Sequence, residues 1–294
     1  KKLLSPGRTI VLIDSKSKTK IALLHIKESY SIDLNKIAKK YFGTDDKKHP
    51  GVNKFVKKGN LIVAGKLEKL DEVKYKNHNS LILSPSNTRM IFTMKGWSNV
   101  IGFHTRNVPH RGHEFIMKEA LKNTNADGLF IHPVIGPKKT GDFKSNVILE
   151  TYDVLRKEKF NKNGFLAGFP TYSRYAGPRE AVFTAICRKN YGCRYFIIGR
   201  DHTGVSTFYK NQNVEDILNK IGDIGVHIIY FNEIVYNGKT KKYLELNKKS
   251  SDYELLKGTD VRELLLSKKT LPKWLVSNSV SNTLANINID ELFV

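Results

Sequence analysis

The sequence predicts an α/β protein built on a doubly wound, mostly parallel sheet. A smaller β-rich domain precedes the sheet and a small helical subdomain follows it. Three observations carry this expectation. From about Asn87 onward, short apolar runs alternate with longer amphipathic ones, the rhythm of strand–helix repeats. Before that point the apolar runs are strand-like and separated by turns. After about residue 240 the pattern changes again, to a charged loop or hairpin and then helical segments. The expected domains are 1–88, 89–240 and 241–294.

Within the first domain, Thr9-Ile10-Val11-Leu12-Ile13, residues 20–26 and residues 60–65 have strand character. Residues 33–42 suit a helix, with Leu34, Ile37, Ala38 and Tyr41 on one face. Residues 43–51 are expected as a polar turn. In the second domain, residues 88–94 suit a helical entry. The strands are expected at 99–103, 128–134, 164–168, 195–198 and 226–230, and the helices at 113–123, 146–157, 178–190 and 214–221. Strands joined by helices of this length pair in parallel, and their carboxyl-end loops converge on one edge. Those loops are 104–113, 135–145, 169–177 and 199–204. In the last domain a helix over 257–265 is expected with Thr259 as cap, and a shorter helix after Pro272 anchored by Trp274 and Leu275.

Composition bounds the function. The chain has 294 residues, 40% hydrophobic and 27% charged, which is globular. No uninterrupted apolar run is long enough to span a bilayer. Two cysteines, Cys187 and Cys193, do not make a disulfide framework, and a reducing, cytoplasmic compartment is expected. The net charge of +22 raises nucleic-acid binding. However, the basic residues are 39 Lys against 11 Arg, and residues 1–100 hold 21 basic against 8 acidic residues. That is a lysine-rich character of solvated faces. Arginine instead concentrates at loop positions: Arg106, Arg111, Arg174, Arg179 and Arg200.

The stretch Phe103-His104-Thr105-Arg106-Asn107-Val108-Pro109-His110-Arg111-Gly112-His113 is the strongest site candidate. It joins a strand to a helix, where α/β proteins bind phosphates. Pro109 stands where a helix would start. His110 and His113, three apart, share one face of a first turn. Arg106 adds a planar guanidinium fork. Imidazoles, guanidinium and helix N–H groups together suit a polyphosphate. A pair of surface histidines capping a helix is the plain alternative. A zinc site is the weaker one, because His-x-x-His supplies two ligands with no cysteine or third ligand close by. Gly199-Arg200-Asp201-His202-Thr203-Gly204 places an Arg, an Asp and a His between glycines after an apolar strand, where backbone can approach a ligand closely.

These residues resemble the signature of the ATP sulfurylases. The likeness lies in residues 104–113, in Arg174 to Ala181, in Arg188-Lys189-Asn190-Tyr191-Gly192-Cys193, in Gly199 to Gly204 and in Gly258-Thr259-Asp260-Val261-Arg262. Residues 41–52 look like that family's N-terminal PUA-like domain. The resemblance implies a Rossmann-like nucleotidyltransferase domain with an N-terminal PUA-like domain and a small C-terminal subdomain. It implies that ATP and sulfate give adenylyl sulfate and pyrophosphate, with Mg2+ accompanying ATP and no protein-bound metal. By the resemblance, Thr105, Arg106, Asn107, His110 and His113 are catalytic. His104, Arg106 and Thr203 take sulfate. His104, Thr105, Arg106, Asn107, Gly199, Arg200, Asp201, His202, Phe231 and Ile234 take the nucleotide.

The sequence departs from the family in places. His104 stands where Gln is usual, Thr203 where Ala is usual, and Ser277-Asn278 where an Arg or Tyr followed by Pro is common. The family normally has a further stretch before Lys1, so an N-terminally short first domain is expected. A protonated His104 would attract sulfate, so affinity for the dianion is expected to improve as pH falls. A homo-oligomer is expected, with neither nucleic acid nor membrane as partner. The competing readings are a basic RNA-binding module, since PUA-like domains can bind RNA, and a catalytically impaired relative.

Overall fold

The computed structural model describes residues 4–15, 17–71, 78–199, 208, 209, 214–246 and 252–294. The chain forms two compact units. One comprises Lys1–Asn79 with Arg174–Ala176, and the other Ser80–Ser173 with Gly177–Val294. The division falls at 79/80, where sequence alone suggests 88, and residues 241–294 lie in the second unit.

The first unit is an antiparallel sheet of β1 (Thr9–Ile13), β2 (Lys20–Ser31) and β3 (Leu61–Lys69), in that order. Helices α1 (Leu34–Phe42) and α2 (Pro50–Val56) are inserted between β2 and β3. Asp33 starts α1 by accepting from the N–H groups of Asn35 and Lys36 at 2.9 and 3.0 Å. Gly43, at φ 76°, ends it. The expected polar turn over 43–51 instead runs into a helix. The reason is His49. Its Nδ1 accepts from the N–H groups of Gly51 and Val52 at 3.1 and 3.2 Å, and its Nε2 donates to the Tyr175 carbonyl at 2.9 Å. The imidazole therefore does the work usually given to Asp or Ser, and Pro50 follows it in the first turn. Ala38, Phe42, Val52 and Ala176 pack into a small core beside it.

The second unit is centred on a five-stranded parallel sheet of β4 (Val100–Phe103), β5 (Gly128–Ile131), β6 (Gly164–Leu166), β7 (Tyr195–Gly199) and β8 (His227–Phe231). Spatial order is β6-β5-β4-β7-β8. The chain moves outward from β4 in one direction, returns, and continues through β7 in the other. The helices are α3 (Pro85–Met94), α4 (Arg111–Thr124), α5 (Ser145–Lys159), α6 (Pro178–Asn190) and α7 (Val214–Ile221). All four β4 residues and all four of β5 are buried, as strands covered on both faces must be. A second, antiparallel sheet of β9 (Ile234–Asn237), β10 (Lys242–Glu245) and β11 (Tyr253–Leu255) follows. Then come α8 (Gly258–Leu266), α9 (Asn278–Ala285) and α10 (Ile289–Leu292).

Two local expectations are corrected here. Pro109 precedes helix α4 and is not its first residue. The cap is His110, in extended conformation, whose N–H reaches back to His113 Nδ1 at 3.4 Å, a donation proline cannot make. Thr259 does not cap α8: the helix begins a residue earlier, at Gly258, behind Lys257, and the Thr259 hydroxyl bonds Asp260 Oδ1 at 3.2 Å. After Pro272 the chain first turns, with the Leu275 and Val276 N–H groups on the Pro272 carbonyl and the Leu275 carbonyl taken by the N–H of Arg111 at 2.9 Å, and the expected short helix is α9, which starts at Asn278.

His49 must be neutral to cap α2, and burial holds its pKa below the ordinary 6.5. The unfolded chain therefore takes up the proton first. The contribution of the cap is present above the unfolded pKa and is lost as pH falls through the lower folded one. Removing the cap, as in His49→Ala, is expected to cost about 1 kcal/mol at neutral pH. The variant should also lose less stability than the parent on acidification. Denaturant unfolding at about pH 7.5 and about pH 5 brackets the titration. Equal pH dependence in both proteins would contradict this role.

Candidate functional site

A parallel sheet that reverses its winding opens a crevice at the carboxyl ends of the strands flanking the reversal. Here those strands are β4 and β7, and a cavity of about 440 Å³ lies there. Phe103, His104, Thr105, Arg106, Asn107, His110 and His113 line it from the β4 side. Ile197 and Gly199 line it from β7, and Phe231 and Ile234 from β8 and β9. Residues 256–259 close another side. Thus the sequence-predicted His104, Thr105, Arg106, Asn107, His110, His113, Gly199, Phe231 and Ile234 come together. Arg200, Asp201, His202 and Thr203 lie outside the described residues.

The β4–α4 loop is held rigidly. The Asn107 N–H donates to Thr105 Oγ1 at 3.2 Å, and the Thr105 hydroxyl reaches the Asn107 carbonyl at 3.3 Å. The Val134 N–H donates to the Thr105 carbonyl at 2.8 Å, tying the loop to the next strand end. The Thr105 side chain thus shapes the turn that presents Arg106. Asn107 packs against Gly258, where a β-carbon would fall 3.0 Å from its side-chain nitrogen.

His110 and His113 stack, with ring centroids 3.8 Å apart and planes 22° apart. Gly112 permits this, because a β-carbon there would sit 3.0 Å from the His110 ring. His113 Nδ1 also meets the Tyr152 hydroxyl at 3.2 Å. With the His110 N–H donating to the same nitrogen, Nδ1 is an acceptor and the His113 proton sits on Nε2. Burial pushes the His110 pKa down to about 4. His113 is held well below the ordinary value by burial first and by its neighbour His110 second. The two imidazoles are therefore neutral, each with one ring N–H to donate. The N–H of Arg111 is taken by Leu275, so helix α4 also offers fewer free donors than its position implies.

Arg111 faces away from the cavity. Its Nε donates to the Lys273 carbonyl at 3.2 Å and its Nη1 to Glu114 Oε2 at 2.9 Å. It fastens the C-terminal segment to α4. Two of the loops expected at the binding edge stand beside the cavity, with the Phe169 ring centroid 6.4 Å from that of His104. Loops 135–145 and 169–177 do not line the cavity. They pair with each other, through the Gly136 N–H to the Thr171 carbonyl at 3.0 Å and the Ile135 N–H to the Phe169 carbonyl at 2.9 Å. One residue of the first loop still acts on the site. Lys138 has its pKa pushed down to about 8, chiefly by burial and partly by the charge of Arg106, while Asp142 opposes the shift.

Sequence reasoning missed Tyr152 and Arg188 as site residues. Tyr152 lies under His113 on α5. Arg188, fully buried on α6, donates from Nη2 to His104 Nδ1 at 2.7 Å and to the His132 carbonyl at 2.8 Å. A signal for it was present. On α6, Ala181, Thr184, Ala185 and Arg188 recur at helical spacing, so the arginine falls on the buried face. A lone arginine in an apolar stripe needs a polar partner inside.

A winding reversal with a guanidinium and paired imidazoles at its crevice is the architecture of an α/β nucleotidyltransferase. A model of the ATP-sulfurylase family matches residues 79–287, most of the chain, and the chain belongs to that family. A PUA-like domain model matches residues 1–72. The sulfate adenylyltransferase of Halothermothrix orenii is 34% identical over 292 residues, covering 96% of this chain and 74% of its own length. That of Pyrococcus abyssi is 37% identical over 268 residues, covering 89% and 69%. Among solved structures, a hexameric APS kinase from Thiobacillus denitrificans superposes with a TM-score of 0.69 over 95% of this chain. The match spans about half, 49%, of that chain at 19% identity, a likeness of fold.

The imidazole pair yields a direct test. In the ligand-free protein, His110 and His113 should stay neutral from about pH 8 down to about pH 5, where an ordinary histidine has protonated. Histidine-labelled NMR reads this from the ring shifts. Titration of both rings near about 6.5 would overturn the assignment of neutral donors.

Proposed function

We propose that this protein is a sulfate adenylyltransferase. It joins ATP and sulfate into adenylyl sulfate and releases pyrophosphate. The observation that carries the reading is the β4–α4 loop: Arg106, His104, Asn107, His110 and His113 face one cavity at the winding reversal, in the sequence order of the family signature. A sulfate oxygen attacks the α-phosphorus in line, the bond to the β-phosphate oxygen breaks, and pyrophosphate leaves with its electron pair. No protein nucleophile is needed. The barrier is lowered by positioning and by donors aimed at developing charge. Mg2+ enters with ATP as part of that substrate.

The roles are those the family resemblance implies, and the shared cavity supports them. Arg106 supplies the fixed charge for sulfate and for the charge that builds on the transferred phosphoryl group. His110 and His113 donate to the α-phosphoryl oxygens and the departing pyrophosphate, with Tyr152 fixing the tautomer of His113. Thr105 and Asn107 keep the loop in shape. Phe231 and Ile234 flank the nucleotide. Arg200, Asp201, His202 and the backbone at Thr203 complete the nucleotide and sulfate contacts on this reading. The three domains drawn at 1–88, 89–240 and 241–294, a homo-oligomer and a cytoplasmic location belong to the same proposal. Among the described residues, no helix is long and apolar enough to cross a membrane.

The deciding experiment measures pyrophosphate release from ATP with and without sulfate. Release that requires sulfate supports the reading, and its absence sinks it. In a parallel titration with RNA at two salt concentrations, tight binding that collapses as salt rises, without sulfate-dependent turnover, would favour a nucleic-acid module. Arg106→Ala should leave the fold intact and lower kcat by about a hundredfold to a thousandfold, the usual effect of removing one donor to a developing oxyanion. A near-normal rate would remove Arg106 from the site. Stoichiometric zinc retained on purification and lost in His113→Ala would instead make the imidazole pair a metal site.

A further inference from the structure

Arg188 is buried in a way that needs a reason. Its side chain is 0% exposed, and among the described residues no ion pair is formed with it. Nη2 makes both of its hydrogen bonds, while Nε and Nη1 are buried without a partner. The guanidinium lies 4.2 Å from the centre of the Phe169 ring and 5.7 Å from that of Phe196. Burial brings its pKa down to about 10, which still leaves it a cation at neutral pH. An uncompensated buried charge is costly, and folds retain one where something is gained by it.

The gain lies one residue away, at the cavity. A guanidinium can only donate, so His104 Nδ1 must accept. The ring proton then resides on Nε2. We infer that Arg188 is a positioning residue for the anionic substrate: it locks His104 in the Nε2–H tautomer and polarises that N–H toward sulfate. A neutral imidazole backed by a cation is a stronger donor than one left alone. The device also opposes protonation of His104, since a second proton would sit on the nitrogen that faces the guanidinium. The expectation that sulfate affinity improves through a charged His104 is thereby reversed. The other described groups around the pair act in the same direction or are neutral. Arg106 lines the same cavity. His132, buried behind Arg188, is held well below its ordinary pKa by burial and then by Arg188. His110 and His113 are neutral. Cys187, Tyr191 and Cys193 flank the guanidinium, and burial pushes the thiol of Cys193 up to about 12.

A glutamine at position 104 would make the same relay, its carbonyl accepting from Arg188 and its amide donating to the anion. This supplies a variant that removes the titratable ring and keeps the geometry.

The inference rests on the sulfate reading of the site, so two readouts are needed, one independent of activity. The first is histidine-labelled NMR of the ligand-free protein. His104 should remain a single Nε2–H tautomer from about pH 8 to about pH 6. Protonation of His104 within that range, or an Nδ1–H tautomer, would overturn the inference without any variant. The second is the Michaelis constant for sulfate as a function of pH. It should be flat over that range in the parent protein and in His104→Gln. In Arg188→Met the constant should rise by about tenfold at about pH 8, as expected for a weakened charge-assisted hydrogen bond. It should then fall again toward about pH 6, as the freed imidazole protonates. Combining Arg188→Met with His104→Gln should abolish that pH dependence. Arg188→Lys keeps the charge and should keep His104 from titrating, which covers the case in which Arg188→Met does not fold. An equal, pH-independent loss of kcat in every Arg188 variant would mean a structural role only and would refute the inference. If the tautomer is found as expected but the parent protein shows no sulfate-dependent turnover, the sulfate reading fails, and with it the assignment of the pair to that anion.

Discussion

Everything at the candidate site depends on the reversal of winding at β4. Crossovers between parallel strands are right-handed, so a chain that builds β4, β5 and β6 in one direction covers one face of the sheet with helices. Returning to add β7 and β8 on the other side of β4 places the following helices on the opposite face. The two sets diverge at the carboxyl ends of β4 and β7, where the cavity lies. The loop after β4 therefore enters a crevice. The same residues on an edge strand would be a solvated turn.

Burial changes the chemistry of what enters. An imidazole in water titrates near neutrality, whereas desolvation holds the stacked His110 and His113 below that range. Neutral rings are cheaper to bury than cations, and they still donate through a nitrogen whose tautomer their neighbours fix. Positive charge comes instead from side chains that keep it under burial. Arg106 stands in the cavity, and Arg188 stands behind it against two aromatic rings. Such a site has its donors oriented before any substrate arrives, which suits a reaction with no covalent role for the protein.

The C-terminal segment contributes by bracing this arrangement. Leu275 and Lys273 meet Arg111 at the start of α4, and Gly258 lets α8 approach Asn107. Leu271, Leu275, Val276, Val280 and Leu284 are buried in the same apolar cluster as Ile116, Met117 and Tyr152. The residues after β9 are thus part of the wall of the site. Their apolar burial, about 25 cal/mol per Å², supports that wall.

The sequence by itself determined the elements and the identity of the central loop. Periodicity placed α6 at 178–190 and α7 at 214–221, and it placed each strand of the parallel sheet to within a few residues, because strand and helix periods are local properties of the chain. It also brought out His104 to His113, because two imidazoles and a guanidinium at a strand–helix junction are unusual in any fold. Tertiary structure alone decided which loops share the cavity, since 135–145 and 169–177 are drawn into pairing with each other. It alone decided that His49 caps a helix, since its ring needs Tyr175 from 126 residues away. The charge states were decided there as well. Whether an imidazole is a cation or a neutral donor depends on what surrounds it, and Arg188 reaches His104 across 84 residues of chain. Desolvation and long-range hydrogen bonds act through space, and no local pattern of residues encodes them.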